Sequence, residues 1–416
     1  MDPKTDMEGY YDILIEDKTI LKLVEKGMLD AQDYDEVIDA AGKTIFPGFI
    51  DLHVHLREPG FEHKETIKTG SMACAKGGYT TVACMPNTNP VIDSVERLKV
   101  LNNIIKKDAV IEILPICAIT HDIMGETLTD HESLFAQGVF AISDDGKTTM
   151  NSELMTEAFK NSRLFDRVVI THSEDHQVSE QYKDKIYPID AETSIVKRDI
   201  ELCRREKGRL HVAHVSGADA IEAIRKAKSD GVDITCEAAP HHFALNDEIV
   251  DIMDPKSKVN PPIRSEIHRK ALIEGLKDGT IDIIATDHAP HEVEVKSGTY
   301  EKAAFGISGI ETAFSVAYTT LVKNEGIPLM SVVGMMTFKP AEIAKLERVG
   351  SIQEGYYADI VIVDLNEKHL IDAQRFISKG KNTPFDGMNF EAGVNMTIFR
   401  GEVVYTKLNL EEKYVK

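Results

Sequence analysis

Apolar, β-branched runs recur along the chain, and most are followed by a stretch whose apolar positions fall at helical spacing. The strand-like runs are GFIDLHVH (48–55), YTTVACMP (79–86), AVIEILPICAI (109–119), GVFAIS (138–143), RVVITHS (167–173), RLHVAHVS (209–216), VDITCEAA (232–239) and IDIIATDH (281–288). The clearest helix between them is DSVERLKVLNNIIKK, with Asp93 and Glu96 in capping-box spacing and Val95, Leu98, Leu101 and Ile105 along one stripe. GADAIEAIRKAKSDG is a second, ending at Gly231, where a left-handed cap is expected. Eight strands alternating with helices predict an α/β fold, a parallel (β/α)8 TIM-like barrel. An open doubly wound sheet is disfavoured, because no Gly-rich phosphate loop follows the first run.

The two ends read differently. Residues 10–46 and 350–407 look like short β-strands separated by Gly and Asp turns. They flank the barrel in sequence and are expected to meet as one small β-sandwich domain built from both termini. The expected division is 1–47 and 346–416 for that domain and 48–345 for the barrel. No fixed-period repeat or low-complexity tract interrupts this scheme.

Composition narrows the class of partner. Lys and Arg number 48 against 69 Asp and Glu, a net charge of −21 that repels nucleic acid and anionic membrane surfaces. No apolar run is long enough to span a bilayer, and the acidic start MDPKTDMEGYYD does not fit a signal peptide. A cytoplasmic protein is expected. Cys74, Cys84, Cys117, Cys203 and Cys236 are widely spaced with no CxxC, as buried free thiols would be.

The candidate chemistry begins in GFIDLHVHLR. Side chains alternate along a strand, so Asp51, His53 and His55 share one face. Imidazoles two residues apart on a strand have Cα atoms roughly 6.6 Å apart, a span that one divalent ion bridges. Later runs end in Ser143-Asp144-Asp145-Gly146, Thr171-His172, Ala213-His214 and Thr286-Asp287-His288. All lie at the C-terminal ends of their strands, the rim on which barrel active sites are built. His and carboxylate donors without thiolate suit Zn²⁺ and also accept Mn²⁺ or Co²⁺. The pattern predicts a hydrolytic metal centre.

The segments PGFIDLHVHLREPG (47–60), CMPNTNP (84–90), SDDG (143–146), THSED (171–175), HVAHVS (211–216), VNPPIR (259–264) and ATDHAPH (285–291) span most of the chain. Together they resemble the amidohydrolase superfamily and, within it, the dihydroorotase family of the longer bacterial type. GSIQEGYYADIVIVD (350–364) is similar to that superfamily's return to its small β-domain. The resemblance implies that His53, His55 and Asp287 bind one metal and His172 and His214 a second, with Zn²⁺ filling one or two sites per subunit. Hydantoinases and allantoinases bridge their metals with a carboxylated Lys on strand four. GVFAISDDG has none, Lys147 lies beyond the strand end, and Asp145 is the expected bridge in its place, with Asp144 the other candidate.

By the same resemblance, Asp287 doubles as general base. Arg57, just past His55, offers a planar fork for a substrate carboxylate. Asn87 and His291 are expected to complete that pocket and Asn260 to bind the ring amide. The implied reaction is reversible hydrolysis of dihydroorotate to N-carbamoyl-L-aspartate in pyrimidine biosynthesis. The alternatives are another cyclic-amide hydrolase, such as a hydantoinase or allantoinase, and a non-catalytic subunit supporting aspartate carbamoyltransferase. The missing strand-four Lys and the presence of Arg57 count against the first. The complete set of ligand residues counts against the second. A homodimer, with possible association with the transcarbamoylase, is a family expectation. His63, His121, His131 and His176 read as exposed, His241 and His242 as helix-entry or rim residues, and Met335 and Met336 as core.

Overall fold

In the computed structural model, which describes residues 1–182 and 186–407, each of the eight apolar runs contributes a strand. Strands β1 (Tyr11–Glu16), β2 (Thr19–Glu25) and β3 (Thr44–Pro47) come first. The eight runs follow as β4 (Phe49–Val54), β5 (Tyr79–Cys84), β6 (Glu112–Pro115), β7 (Ala141–Ser143), β8 (Val168–Thr171), β9 (Leu210–Val212), β10 (Ile234–Ala238) and β11 (Ile283–Ile284). β12 (Ile360–Leu370), β13 (Asn389–Phe399) and β14 (Glu402–Thr406) complete the set.

Strands β4, β5 and β6 form one parallel ladder, and β7 to β11 form another in sequence order. Two single parallel bridges join the ladders into a ring, Cys117 to Ile142 on one side and Val54 to His288 on the other. That closure is a barrel and excludes an open sheet. The helices wrapped around it pack through Leu98, Phe159, Val196, Ile224 and Ile273 in the same apolar cluster as Val54, Val82 and Val169. All five cysteines are free and buried, and Met335 and Met336 are core residues.

The two ends of the chain meet. β3 pairs antiparallel with β12 in the sheet β14-β13-β12-β3. The β1–β2 hairpin lies against that sheet, with Ile13 and Ile15 packing on Ile360, Ile362 and Ile398. One helix boundary differs from expectation. The helix Val95–Asp108 is capped by Ser94, not Asp93. The Asp93 carboxylate accepts instead from the Asp122 backbone N–H at 3.0 Å and pairs with Arg97 at 2.8 Å, so it ties two loops together. The helix Ala218–Ser229 ends as expected, with Gly231 at φ +80.

The barrel strands are shorter than the apolar runs that predict them. In the runs of β8, β9 and β11, residues beyond the strand's C-terminal end carry His172, His214 and Asp287 to the rim.

Candidate metal centre

His53 stands within β4 and His55 directly after it, while Asp145, His172, His214 and Asp287 follow the ends of β7, β8, β9 and β11. All six are buried. His214 (φ +32) and Asp287 (φ +48) adopt positive φ, a conformation that costs energy in a residue with a Cβ and is held only by its surroundings.

These side chains converge. His53 Nε2 lies 3.5 Å and His55 Nε2 3.1 Å from Asp287 Oδ1. The Asp145 carboxylate lies within 3.8 Å of all four imidazoles: 3.4 Å from His53, 3.4 Å from His55, 3.7 Å from His214 and 3.8 Å from His172. His172 Nδ1 and His214 Nε2 are 3.0 Å apart. Two groups meet the spacing that one ion requires, His53–His55–Asp287 and His53–Asp145–His214. The first is the expected trio. In the second, His53 stands where the resemblance puts His172, which sits against His214 instead. Asp144 is elsewhere, its carboxylate taken up by Thr120, Thr149 and the Ile119 amide. Lys147 is exposed.

For three of the four histidines the nitrogen turned away from the cluster has an acceptor, whereas His214 Nδ1 is buried without one. His53 Nδ1 meets Glu237 Oε1 at 2.6 Å, His55 Nδ1 meets Asn87 Oδ1 at 2.9 Å, and His172 Nε2 meets Glu174 Oε2 at 3.2 Å. Donation to these acceptors fixes the tautomer and leaves the other nitrogen's lone pair facing the centre. Glu237 and Glu174 were not anticipated as functional residues. The available signals were an acid inside the apolar run VDITCEAA and the Glu of THSED.

The second predicted group assembles beside the first. Arg57 (φ +63) donates from Nε to the Pro290 carbonyl at 3.2 Å, and its terminal nitrogen lies 3.2 Å from His291 Nε2. Burial lowers Arg57 only to about 10, so it stays charged at neutral pH. Burial, with Arg57 next to it, pushes His291 down to about 2 and keeps it neutral. Asn87 bridges His55 and the Asp145 carbonyl. Asn260 accepts from the Tyr187 hydroxyl at 2.5 Å and donates to Glu174 at 2.7 Å.

Other histidines depart from expectation. His131 is buried, not exposed, because its Nε2 donates to the Ile119 carbonyl at 2.9 Å. His241 and His242 lie in the short helix Pro240–Ala244, as a helix-entry role requires, but both are fully enclosed.

The donor set fits a divalent cation. His53 Nε2 and Asp145 Oδ1 are buried and lack hydrogen-bond partners, although both face the cluster. Burial disfavours charge on either residue. Even so, the neighbouring imidazoles hold Asp145 well below the carboxylate range, and Asp145 and Glu237 raise His53 well above its usual value. A cluster this anionic needs positive charge, which protons on histidine or a metal cation supply.

Comparison with known proteins adds to this geometry. Residues 44–404 match the amidohydrolase family. The chain is 45% identical to a dihydroorotase of Thermoanaerobacter sp. (strain X514), over 98% of this chain and 96% of that protein. It is 44% identical to a dihydroorotase of Caldanaerobacter subterraneus subsp. tengcongensis, over 97% of this chain and 95% of that one. Among solved structures, an L-hydantoinase (dihydropyrimidinase) from Arthrobacter aurescens matches with a TM-score of 0.87 over 95% of this chain and 92% of its own, at 26% identity. That structural likeness supports the barrel; a shared fold does not choose the substrate.

Proposed function

The chain belongs to the amidohydrolase family, and on that premise we propose that it is a metal-dependent dihydroorotase. It hydrolyses (S)-dihydroorotate reversibly to N-carbamoyl-L-aspartate, a step of de novo pyrimidine (UMP) biosynthesis, as the name of its near-full-length relatives suggests. The observation that supports the reading is the 3.2 Å contact between the charged Arg57 and His291 beside the His–Asp cluster, an arrangement suited to a substrate carboxylate.

His53, His55 and Asp287 would hold one ion and His172 and His214 a second, with Asp145 between them. Zn²⁺ suits these donors. When bound, the cation supplies Lewis acidity toward the amide carbonyl and lowers the pKa of water. Asp287 is buried, but its contacts with His55 and His53 bring it to about 2, so it is a carboxylate at neutral pH. It takes a proton from the attacking water and returns it to the ring nitrogen as the C–N bond breaks. General acid–base help of this kind is worth ~10²–10⁴ in rate. Arg57 and His291 hold the substrate carboxylate, with Asn87 and Asn260 at its edges. Ring closure uses the same groups in reverse.

The proposed division assigns 48–345 to the barrel and 1–47 with 346–416 to the small β-domain; 183–185 and 408–416 lie outside the described residues. The proposed compartment is the cytoplasm, and among the described residues no helix is long and apolar enough to cross a membrane. The proposed working unit is a homodimer acting on free small molecules, and gel filtration with and without aspartate carbamoyltransferase tests for a larger assembly. The reaction itself is tested by approaching equilibrium from both sides: zinc-loaded protein should give the same mixture from dihydroorotate and from N-carbamoyl-L-aspartate. No conversion in either direction by zinc-loaded protein refutes the assignment.

A further inference from the structure

One buried carboxylate outside the proposed ligand set touches two of its members. Glu237, in β10, is almost wholly buried. Its Oε1 accepts from His53 Nδ1 at 2.6 Å and from the His214 backbone N–H at 3.1 Å. Its Oε2 meets His211 Nε2 at 3.0 Å, and His211 Nδ1 in turn meets Thr235 Oγ1 at 2.8 Å. One oxygen therefore fixes the ring of a residue on β4 and the backbone of a residue beyond β9. The other is anchored by His211 in β9 and Thr235 in β10 itself.

We propose that Glu237 is a positioning residue for both halves of the metal centre, setting the tautomer of His53 and the strained backbone of His214 through a single carboxylate oxygen. His53 donates from Nδ1 to Glu237, so its Nε2 lone pair faces Asp145 and Asp287. His214 stands at φ +32, a conformation that nothing in its own Cβ geometry favours. Its N–H bond to Glu237 holds that turn and keeps the ring beside Asp145. The His211–Thr235 chain stops the carboxylate from rotating away. Outer partners of metal-binding histidines are commonly worth about 10–100-fold in metal affinity.

The inference rests on the metal-centre reading, and its test reads metal binding without substrate. Glu237→Asp keeps the charge and shortens the reach, whereas Glu237→Gln keeps the reach and an acceptor oxygen while losing the charge. Apo protein is titrated with Co²⁺ against a competing chelator, following the visible bands that report coordination, with circular dichroism as the folding control. Positioning predicts about 10–100-fold weaker Co²⁺ binding and altered bands for Asp, with Gln staying several-fold closer to wild type. Should Asp fail to fold, His211→Gln, which frees the outer oxygen alone, is read in its place and is predicted to weaken Co²⁺ binding. Equal affinity in Asp, or in His211→Gln when that variant is read, and wild type overturns the proposal, as does a Gln variant no better than Asp. Wild-type protein that binds Co²⁺ but leaves dihydroorotate intact would refute the reaction without touching this inference.

Discussion

Asp144 and Asp145 are adjacent in sequence, yet their carboxylates enter different environments. Asp144 accepts from the Ile119 and Thr120 amides and from the Thr120 and Thr149 hydroxyls, closing the turn after β7. Asp145 presents its carboxylate to four imidazoles and leaves Oδ1 without a hydrogen-bond partner. Asp145→Ala is expected to cut metal content and activity by more than tenfold in a folded protein. Asp144→Ala is expected to keep the metal and lose about 1–3 kcal/mol of stability, since it strands buried donors. Metal analysis and thermal melts of the pair check both halves.

Arg57 is expected to carry the preference for a substrate with a carboxylate. Arg57→Lys removes the planar fork, and a charge-assisted hydrogen bond is worth about 1.5–3 kcal/mol. The expected result is a roughly tenfold to hundredfold fall in kcat/KM for dihydroorotate, with metal content unchanged. Steady-state kinetics on metal-analysed protein show it; an unchanged KM and kcat would remove Arg57 from the pocket.

Asn87 touches His55, besides its proposed place in the substrate pocket. Asn87→Ala should therefore weaken metal retention and lower kcat, besides raising KM. A change confined to KM would mean that the 2.9 Å contact with His55 carries no functional weight.

Asp287→Asn preserves size and one acceptor oxygen but cannot take the proton. It should keep much of the metal and lose at least ~10²-fold in kcat. More than about a tenth of wild-type activity would contradict the general-base role.

Acid should destabilise the protein earlier than carboxylate protonation alone would. Burial pushes His242 well below its usual value, and its Nε2 donates to the Pro261 carbonyl at 2.8 Å. Burial likewise lowers His241 to about 4. Below about 6.5 the unfolded chain takes up protons that the folded chain refuses, so stability falls as pH drops through the window from 6.5 to 4. Each such histidine contributes up to about 1.4 kcal/mol per pH unit there. His242→Gln, which retains a donor for Pro261, should flatten the dependence of melting temperature on pH in that window. The comparison isolates His242 from His53 and His172, whose shifts run upward. Parallel curves for variant and wild type would contradict it.

Much of this architecture was legible because strand runs and rim chemistry follow simple periodicities. Leu52 and His53 are consecutive, and alternation alone puts them on opposite faces. The position of His172, one residue beyond β8, follows from the rule that barrel sites gather at strand C-termini. What stayed hidden depends on contacts between distant segments. Glu237 has a partner 184 residues away, and Glu174, although only two residues from its partner His172, is also tied to the distant Asn260. His131 looks like a surface residue until the Ile119 carbonyl that pairs with it is known. Ser94 and Asp93 are both good caps, and it is the Arg97 and Asp122 contacts that withdraw Asp93 from the helix.

A side-by-side assay of dihydroorotate, dihydrouracil and allantoin on metal-analysed protein, with and without chelator, separates the proposed reaction from those of other cyclic-amide hydrolases. Ring opening of dihydroorotate is followed by the loss of ultraviolet absorbance. Turnover of dihydroorotate alone is expected, lost with the metal and restored by Zn²⁺. Comparable turnover of dihydrouracil or allantoin, or no turnover of dihydroorotate with zinc bound, would contradict it.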